Sequence, residues 1–196
     1  EAPDWLAPSM NREGIDDAIA DENGDIQLSS LRGNVVILDF MAIDCSNCHY
    51  VQEHIDQNLA EWEALDGPYP VVAISLASWY GYESFDSINS TFGDPESDKH
   101  MPWPIVNGGT DVILLEEGER GDLVEYYSAQ AIPLALVIDH EGFVVAKENT
   151  GTPLDGWAEF DGAIEAANEG EAEGLLEVEE LAEGEAEAQG GGSADM

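Results

Sequence analysis

Basic side chains are almost missing from this sequence: five lysines and arginines stand against 43 aspartates and glutamates, for a formal net charge of -38. Such a balance repels a phosphate backbone and excludes nucleic acid as a partner. Long apolar runs are missing too. The longest, Val35 to Ala42 and Val71 to Ala77, are strand-sized and far short of the ~20 residues that a membrane-spanning helix needs. No basic stretch followed by an apolar one opens the chain, so a signal peptide or membrane anchor is expected to lie outside it. Cysteine is scarce, with two copies, which excludes a disulfide-stapled scaffold.

The acidity is not a tail effect. Residues 1–164 hold 32 of the carboxylates and all five cations, leaving 27 net negative charges on the body of the chain. Lysine occurs twice. A surface of this kind resembles haloarchaeal proteins, in which molar salt shortens the Debye length to ~3 Å and screens the self-repulsion.

The length and 43% hydrophobic content suit one core. The division expected is a folded domain over residues 1–168 and an acidic low-complexity tail over 169–196, where Gly-Glu-Ala-Glu occurs twice and Gly190-Gly191-Gly192-Ser193 comes near the end. Leu175, Leu176, Val178 and Leu181 supply the material for one short helix there, and a disordered spacer to a membrane-bound element or another domain is the equal alternative. Within the body, Asn23-Gly24 predicts the tight turn of an N-terminal β-hairpin. Val35 to Ala42, broken by Asp39 alone, and Val71 to Ala77 read as strands buried on both faces. Between them Val51, Ile55, Leu59 and Trp62 fall on one helical stripe, ended by Gly67-Pro68.

Further on, Phe85, Ile88 and Phe92 predict a short helix, Trp103 to Val106 an irregular loop, and Leu123 to Tyr127 a helical turn. Leu134 to Ile138 and Phe143 to Ala146 predict a hairpin turning at Gly142. Thr152-Pro153 opens a last helix with Trp157, Phe160 and Ile164 on its buried face. The sum is an α/β fold: a central mixed β-sheet flanked by helices, with an N-terminal β-hairpin and an insertion in the middle.

The chemistry concentrates at Cys45-Ser46-Asn47-Cys48, a C-x-x-C following a buried strand at the head of a helix, which is the context of a redox pair. The helix terminus favours a thiolate at Cys45, the attacking form. Cys48, one turn in, is then the resolving thiol that closes the disulfide.

With Ala2-Pro3-Asp4-Trp5, Leu28-Ser29-Ser30-Leu31-Arg32-Gly33-Asn34, Val36 to Ala42, the cysteine pair and Ala131-Ile132-Pro133 in that order, the chain resembles the thioredoxin superfamily. More narrowly, it resembles the extracytoplasmic reductases of the TlpA and ResA kind. The resemblance implies a thioredoxin fold and a thiol-disulfide oxidoreductase of protein substrates, with apocytochrome c thiols in view. It also implies an extracytoplasmic, membrane-anchored setting, a membrane electron donor of the thiol-relay type, and no cofactor beyond the redox-active disulfide. It makes Pro133 a cis-proline facing the cysteines, Ile132 a residue whose backbone pairs with an incoming peptide, and Asp39 a buried acid that exchanges a proton with Cys48; read without it, Asp39 is an acid hydrogen-bonded to neighbouring backbone. Asp44 stands where the family usually has Trp, and its charge opposes a thiolate at Cys45, favouring a reducing protein. Ser46-Asn47 replaces the commoner Gly-Pro or Pro-Pro.

Three rival readings use the same residues. Cys45 to His49 spells the c-type haem attachment motif. Cys45, Cys48 and His49 with His54 or His100 have the ligand types of a tetrahedral metal site, although the copper chaperones built on this fold space their cysteines one residue wider. A redox domain excised from a larger membrane electron-transfer protein would use the same chemistry.

Overall fold

Residues Val35–Met41 have apolar side chains on both faces except at Asp39, and such a run is stable only inside a sheet covered on both sides. They form β3 of the computed structural model, in which all seven are buried. The structure describes residues 1–10, 19–77, 84–107, 112–114, 119–121, 123, 127, 131–149 and 157–172. The remaining strands are β1 (Trp5–Met10), β2 (Asp25–Gln27), β4 (Val71–Ala77), β5 (Ile105–Asn107), β6 (Val112–Leu114), β7 (Glu119–Gly121), β8 (Leu134–Ile138) and β9 (Val144–Glu148). Helices are α1 (Cys48–Trp62), a single turn α2 (Phe85–Ile88) that widens into a π turn over Asn89–Gly93, and α3 (Ala158–Glu169); a 3-10 turn covers Leu28–Leu31.

The nine strands of the described residues join one mixed sheet in the order β7-β6-β1-β5-β4-β3-β8-β9, with β2 paired to β1. β3 runs parallel to β4 and antiparallel to β8. Because side chains alternate across a strand, Val35, Ile37 and Met41 face one layer, with Val51, Ile55, Leu59 and Trp62 of α1 and Phe160, Ile164 and Ala167 of α3. Val36, Leu38 and Phe40 face the other, closed by Trp5, Leu28, Leu31, Leu123 and Tyr127. Asp39 falls by the same period on the α1 and α3 side.

The N-terminal arm is tied down by its own polar atoms. Asp4 accepts hydrogen bonds from the Ser29 backbone N–H, the Ser29 hydroxyl and the Gln27 amide. The Trp5 indole donates to Tyr127 Oη at 3.1 Å. The N-terminal antiparallel pair is β1 with β2, whereas Asn23-Gly24, with Gly24 at φ 80°, forms the turn that feeds β2, closed by the Asp21 carboxylate on the N–H groups of Asn23 and Asp25.

Two sequence expectations need correcting. The segment expected to be an irregular loop at Trp103 to Val106 runs into β5, held by parallel pairing with β4. Helix α1 ends at Trp62 and tightens through Ala64 and Leu65, whose N–H groups bond three residues back, so it stops before Gly67-Pro68. The 134–148 hairpin turns at Gly142 as expected, with φ 91°, and Leu123 and Tyr127 are joined by a helical hydrogen bond. Thr152-Pro153 and all of the tail from residue 173 lie outside the described residues.

Asn168, near the end of α3, closes the fold on the far side. Its side-chain oxygen accepts from the Gly67 N–H at 2.9 Å and its amide donates to the Tyr69 carbonyl at 2.7 Å. A Cβ on Gly67 would collide with that oxygen and with the Asn168 carbonyl, so glycine is required by close approach. Asn168→Ala is expected to cost about 1 to 3 kcal/mol, the usual loss when buried groups are left unpaired. Gly67→Ala should destabilise by the same route, and chemical denaturation in molar salt measures both.

Candidate active site

The cysteines follow from the end of β3. After Met41 the chain turns, with the Cys45 N–H bonded to the Ala42 carbonyl at 3.2 Å, and α1 begins at Cys48. Cys45 and Cys48 are joined in a disulfide with their Cα atoms 5.3 Å apart. Their environments differ. Cys48 is fully buried in the layer under α1, while Cys45 is half-buried at its edge. The Cys48 N–H donates to Cys45 Sγ at 3.1 Å, so a thiolate released at Cys45 already has a donor at the positive end of the helix. Cys48 Sγ lies 4.0 Å from the Phe40 carbonyl oxygen. Asp44, Ser46, Asn47 and Tyr50 are exposed around Cys45.

Asp39 sits one residue before Phe40, fully buried. Its Oδ2 accepts the Ser75 hydroxyl at 3.0 Å, and its Oδ1 is buried without a hydrogen-bond partner among the described residues. Burial disfavours the charged form and pushes the carboxyl from 3.8 up to about 7, with the Ser75 hydrogen bond acting in the opposite direction. A buried acid with that proton affinity is matched to proton transfer near neutrality.

The Ile132-Pro133 peptide bond is cis. Phe40 pairs with Leu134, so Pro133 lies level with the end of β3, from which the chain turns toward Cys45. Pro133 is buried. Ile132 is half-buried and packs on the same apolar layer as Cys45.

The histidines proposed as metal ligands are held elsewhere. His54 Nε2 is 2.8 Å from Asp161 of α3, and its ring stacks on Trp157 with centroids 4.3 Å apart. His100 Nδ1 is 3.1 Å from the Phe92 carbonyl oxygen and His49 Nδ1 is 3.0 Å from Gln52 Oε1. Among the described residues no group of three or more His, Cys, Asp and Glu is gathered for a metal. Attachment of haem at Cys45-Cys48-His49 would require the buried, bonded Cys48 sulfur to leave the core.

Sequence reasoning missed Ser75 and Trp103. Ser75 is the sole polar residue of β4 and lies opposite Asp39, the sole polar residue of β3, in the parallel register. Trp103 Nε1 donates to Ser75 Oγ at 2.8 Å. The available signal was one polar residue in each of two adjacent apolar strands.

The raised proton affinity of Asp39 has a defined sign in stability. Folding favours the protonated carboxyl, so the contribution is full below pH ~4 and is lost as pH rises through about 7. Asp39→Asn keeps the shape without the charge. It should raise the unfolding free energy of the oxidised protein at pH 8 by on the order of a few kcal/mol, with the gain shrinking toward pH 4. Calorimetry at the two pH values checks this, and an equal gain at both would contradict a buried, titrating Asp39.

No family model matches the chain, and no curated protein matches it. Solved structures do. A thioredoxin-like superfamily protein aligns at 18% identity with a TM-score of 0.62, covering 88% of this chain and 97% of that one. A chain described as thiol:disulfide interchange protein DsbE from Chlorobium tepidum aligns at 21% identity and TM-score 0.55, covering 86% and 95%. BsSco, a member of the Sco family of cytochrome c oxidase assembly proteins in which a disulfide switch was identified, aligns at 14% and 0.52, covering 86% and 93%. At these identities the likeness is one of architecture: a mixed sheet, flanking helices and, in this chain, a cysteine pair where β3 gives way to α1. The chain has a thioredoxin-like fold.

Proposed function

We propose that this chain is a thiol-disulfide oxidoreductase of protein substrates, working as a reductase through Cys45 and Cys48. The observation that carries the reading is the unequal burial of two bonded cysteines, one half-buried at the head of α1 and the other sealed in the core. The Cys45 thiolate attacks a substrate disulfide, and one substrate sulfur leaves as thiolate. The Cys48 thiol then gives its proton to the Asp39 carboxylate and attacks Cys45 Sγ. The second substrate sulfur leaves, so the substrate gains two electrons as a dithiol and the enzyme holds the disulfide. Ile132, beside the cis-Pro133, offers its backbone to the substrate chain. A further dithiol must return the two electrons, and a membrane thiol relay fits that role.

The finer reading places the chain with the TlpA and ResA kind, outside the cytoplasmic membrane of a halophile. It is anchored there through a segment beyond residues 1–196, with the acidic stretch 169–196 as a spacer. Apocytochrome c thiols are the first substrate to try. Support comes from the motif order along the chain, from the charge of -38, and from an extended surface that molar salt would screen. Among the described residues no helix is long and apolar enough to cross a membrane. No cofactor beyond the disulfide is needed for this chemistry.

A redox titration of the Cys45-Cys48 pair in molar salt, read by thiol alkylation, tests the reading. A potential near thioredoxin's, about -270 mV, is expected, whereas one near -120 mV would make the chain a disulfide donor. Absence of a reversible disulfide, with copper bound at micromolar affinity or tighter, would return the metal-chaperone reading. In the same protein Cys48→Ser should accumulate a mixed disulfide with a reducible protein substrate, and Cys45→Ser should form none, as non-reducing electrophoresis will show.

A further inference from the structure

The carboxyl at the heart of the site is wired through Ser75 of β4 to Trp103, two residues before β5. Ser75 is fully buried and Trp103 nearly so. A hydroxyl has one proton to give. Ser75 Oγ accepts the Trp103 indole N–H at 2.8 Å and stands 3.0 Å from Asp39 Oδ2. The indole donates to the hydroxyl, which leaves the hydroxyl's one proton for Asp39. Oδ2 thereby has a donor, and Oδ1 is left buried without a partner among the described residues. We propose that Ser75 and Trp103 form a relay that holds Asp39 Oδ2 as a fixed acceptor and leaves Oδ1 as the oxygen that takes and gives the proton, making Ser75 a positioning residue for the exchange at Cys48. The inference rests on the oxidoreductase reading above and adds to it the two residues that set which oxygen works and how tightly it holds its proton.

The surroundings make this hydrogen bond the principal polar influence on Asp39. On β8 its register partner is Ala135. On the α1 side Cys48 Sγ, held in the disulfide, lies 4.0 Å from the next carbonyl oxygen, that of Phe40. The charged and titratable groups His49, Glu53, Asp56, Asp98, Lys99 and His100 line a groove of about 300 Å³ that Trp103 borders. The indole therefore stands between that groove and Ser75. Desolvation raises the proton affinity of Asp39 and the Ser75 bond lowers it, so removing the bond must raise it further. A hydrogen bond to a charged group is strong enough to move a midpoint by about one to two pH units.

The test is an infrared titration of the full oxidised chain, following the C=O band of the protonated buried carboxyl, with Asp39→Asn identifying the band. The wild-type midpoint is expected near 7. Ser75→Ala should raise it by about one to two units, Trp103→Phe should raise it by less, and Ser75→Thr, which keeps the hydroxyl, should return it close to the wild-type value. An unmoved midpoint in a folded Ser75→Ala protein overturns the relay. Should Ser75→Ala fail to fold, Trp103→Phe decides on the same criterion, since it keeps an aromatic ring and removes only the donor. The pH profile of single-turnover release from the mixed disulfide is measured alongside. The wild-type profile should break at the infrared midpoint, and Ser75→Ala should move both together. A profile identical in wild type and Asp39→Asn would overturn the role of Asp39 in the exchange itself, a failure distinct from an unmoved infrared midpoint.

Discussion

The pairing of β3 on both of its edges is the constraint on which the rest of the site depends. Seven residues of β3 run in register with β4 and five with β8. That double pairing buries every β3 side chain and fixes the height of Asp39 in the sheet to within one residue, since a slip by one would turn it to the opposite face. The same pairing sets three other positions at one end of the sheet: the turn that delivers Cys45, the first residue of α1, and Pro133 just before β8. The site is therefore an end effect of one strand, and the helices hold it in place from outside.

Electrostatics act differently in the two compartments. On the surface, among the described residues, Arg32 pairs with Glu1 at 2.7 Å. A pair with so exposed a partner stabilises little, and surface charges of one sign repel less as salt rises. In the core the Asp39 carboxyl has a hydroxyl, and no counter-charge, as its hydrogen-bond partner among the described residues. Burial raises its proton affinity and that hydroxyl lowers it. The pair of environments lets a strongly acidic protein keep one acid protonated near neutrality.

Much of this was legible in the chain. Val35 to Met41 and Val71 to Ala77 announce themselves because a strand covered on both faces cannot alternate, and α1 and α3 because each buries one stripe of a 3.6-residue repeat. The cysteine pair was legible for the same reason: its flanks are strong, local signals. What could not be read are the strands made by their partners. β5, β6 and β7 are three residues each, too short for a period to show, and they exist through pairing with β4 and β1. Trp103 was lost with them, and with it the link to Ser75. The turn at Asn23-Gly24 was legible from its dipeptide, and it lies in the connection between the antiparallel strands β1 and β2.

The unequal setting of the two cysteines gives a chemically symmetric bond a front and a back. A sulfur–sulfur bond in solution can be opened at either atom. Here the sealed sulfur of Cys48 is withheld from any large molecule, so a visiting thiolate meets Cys45 first in one direction of exchange, and Cys45 is what a visiting disulfide meets in the other. In the exchange proposed above, both half-reactions would pass through the same mixed disulfide at Cys45, and donor and substrate would not need to be told apart by geometry. Their order would be left to potential and supply, so one half-buried sulfur would serve two different visitors in turn.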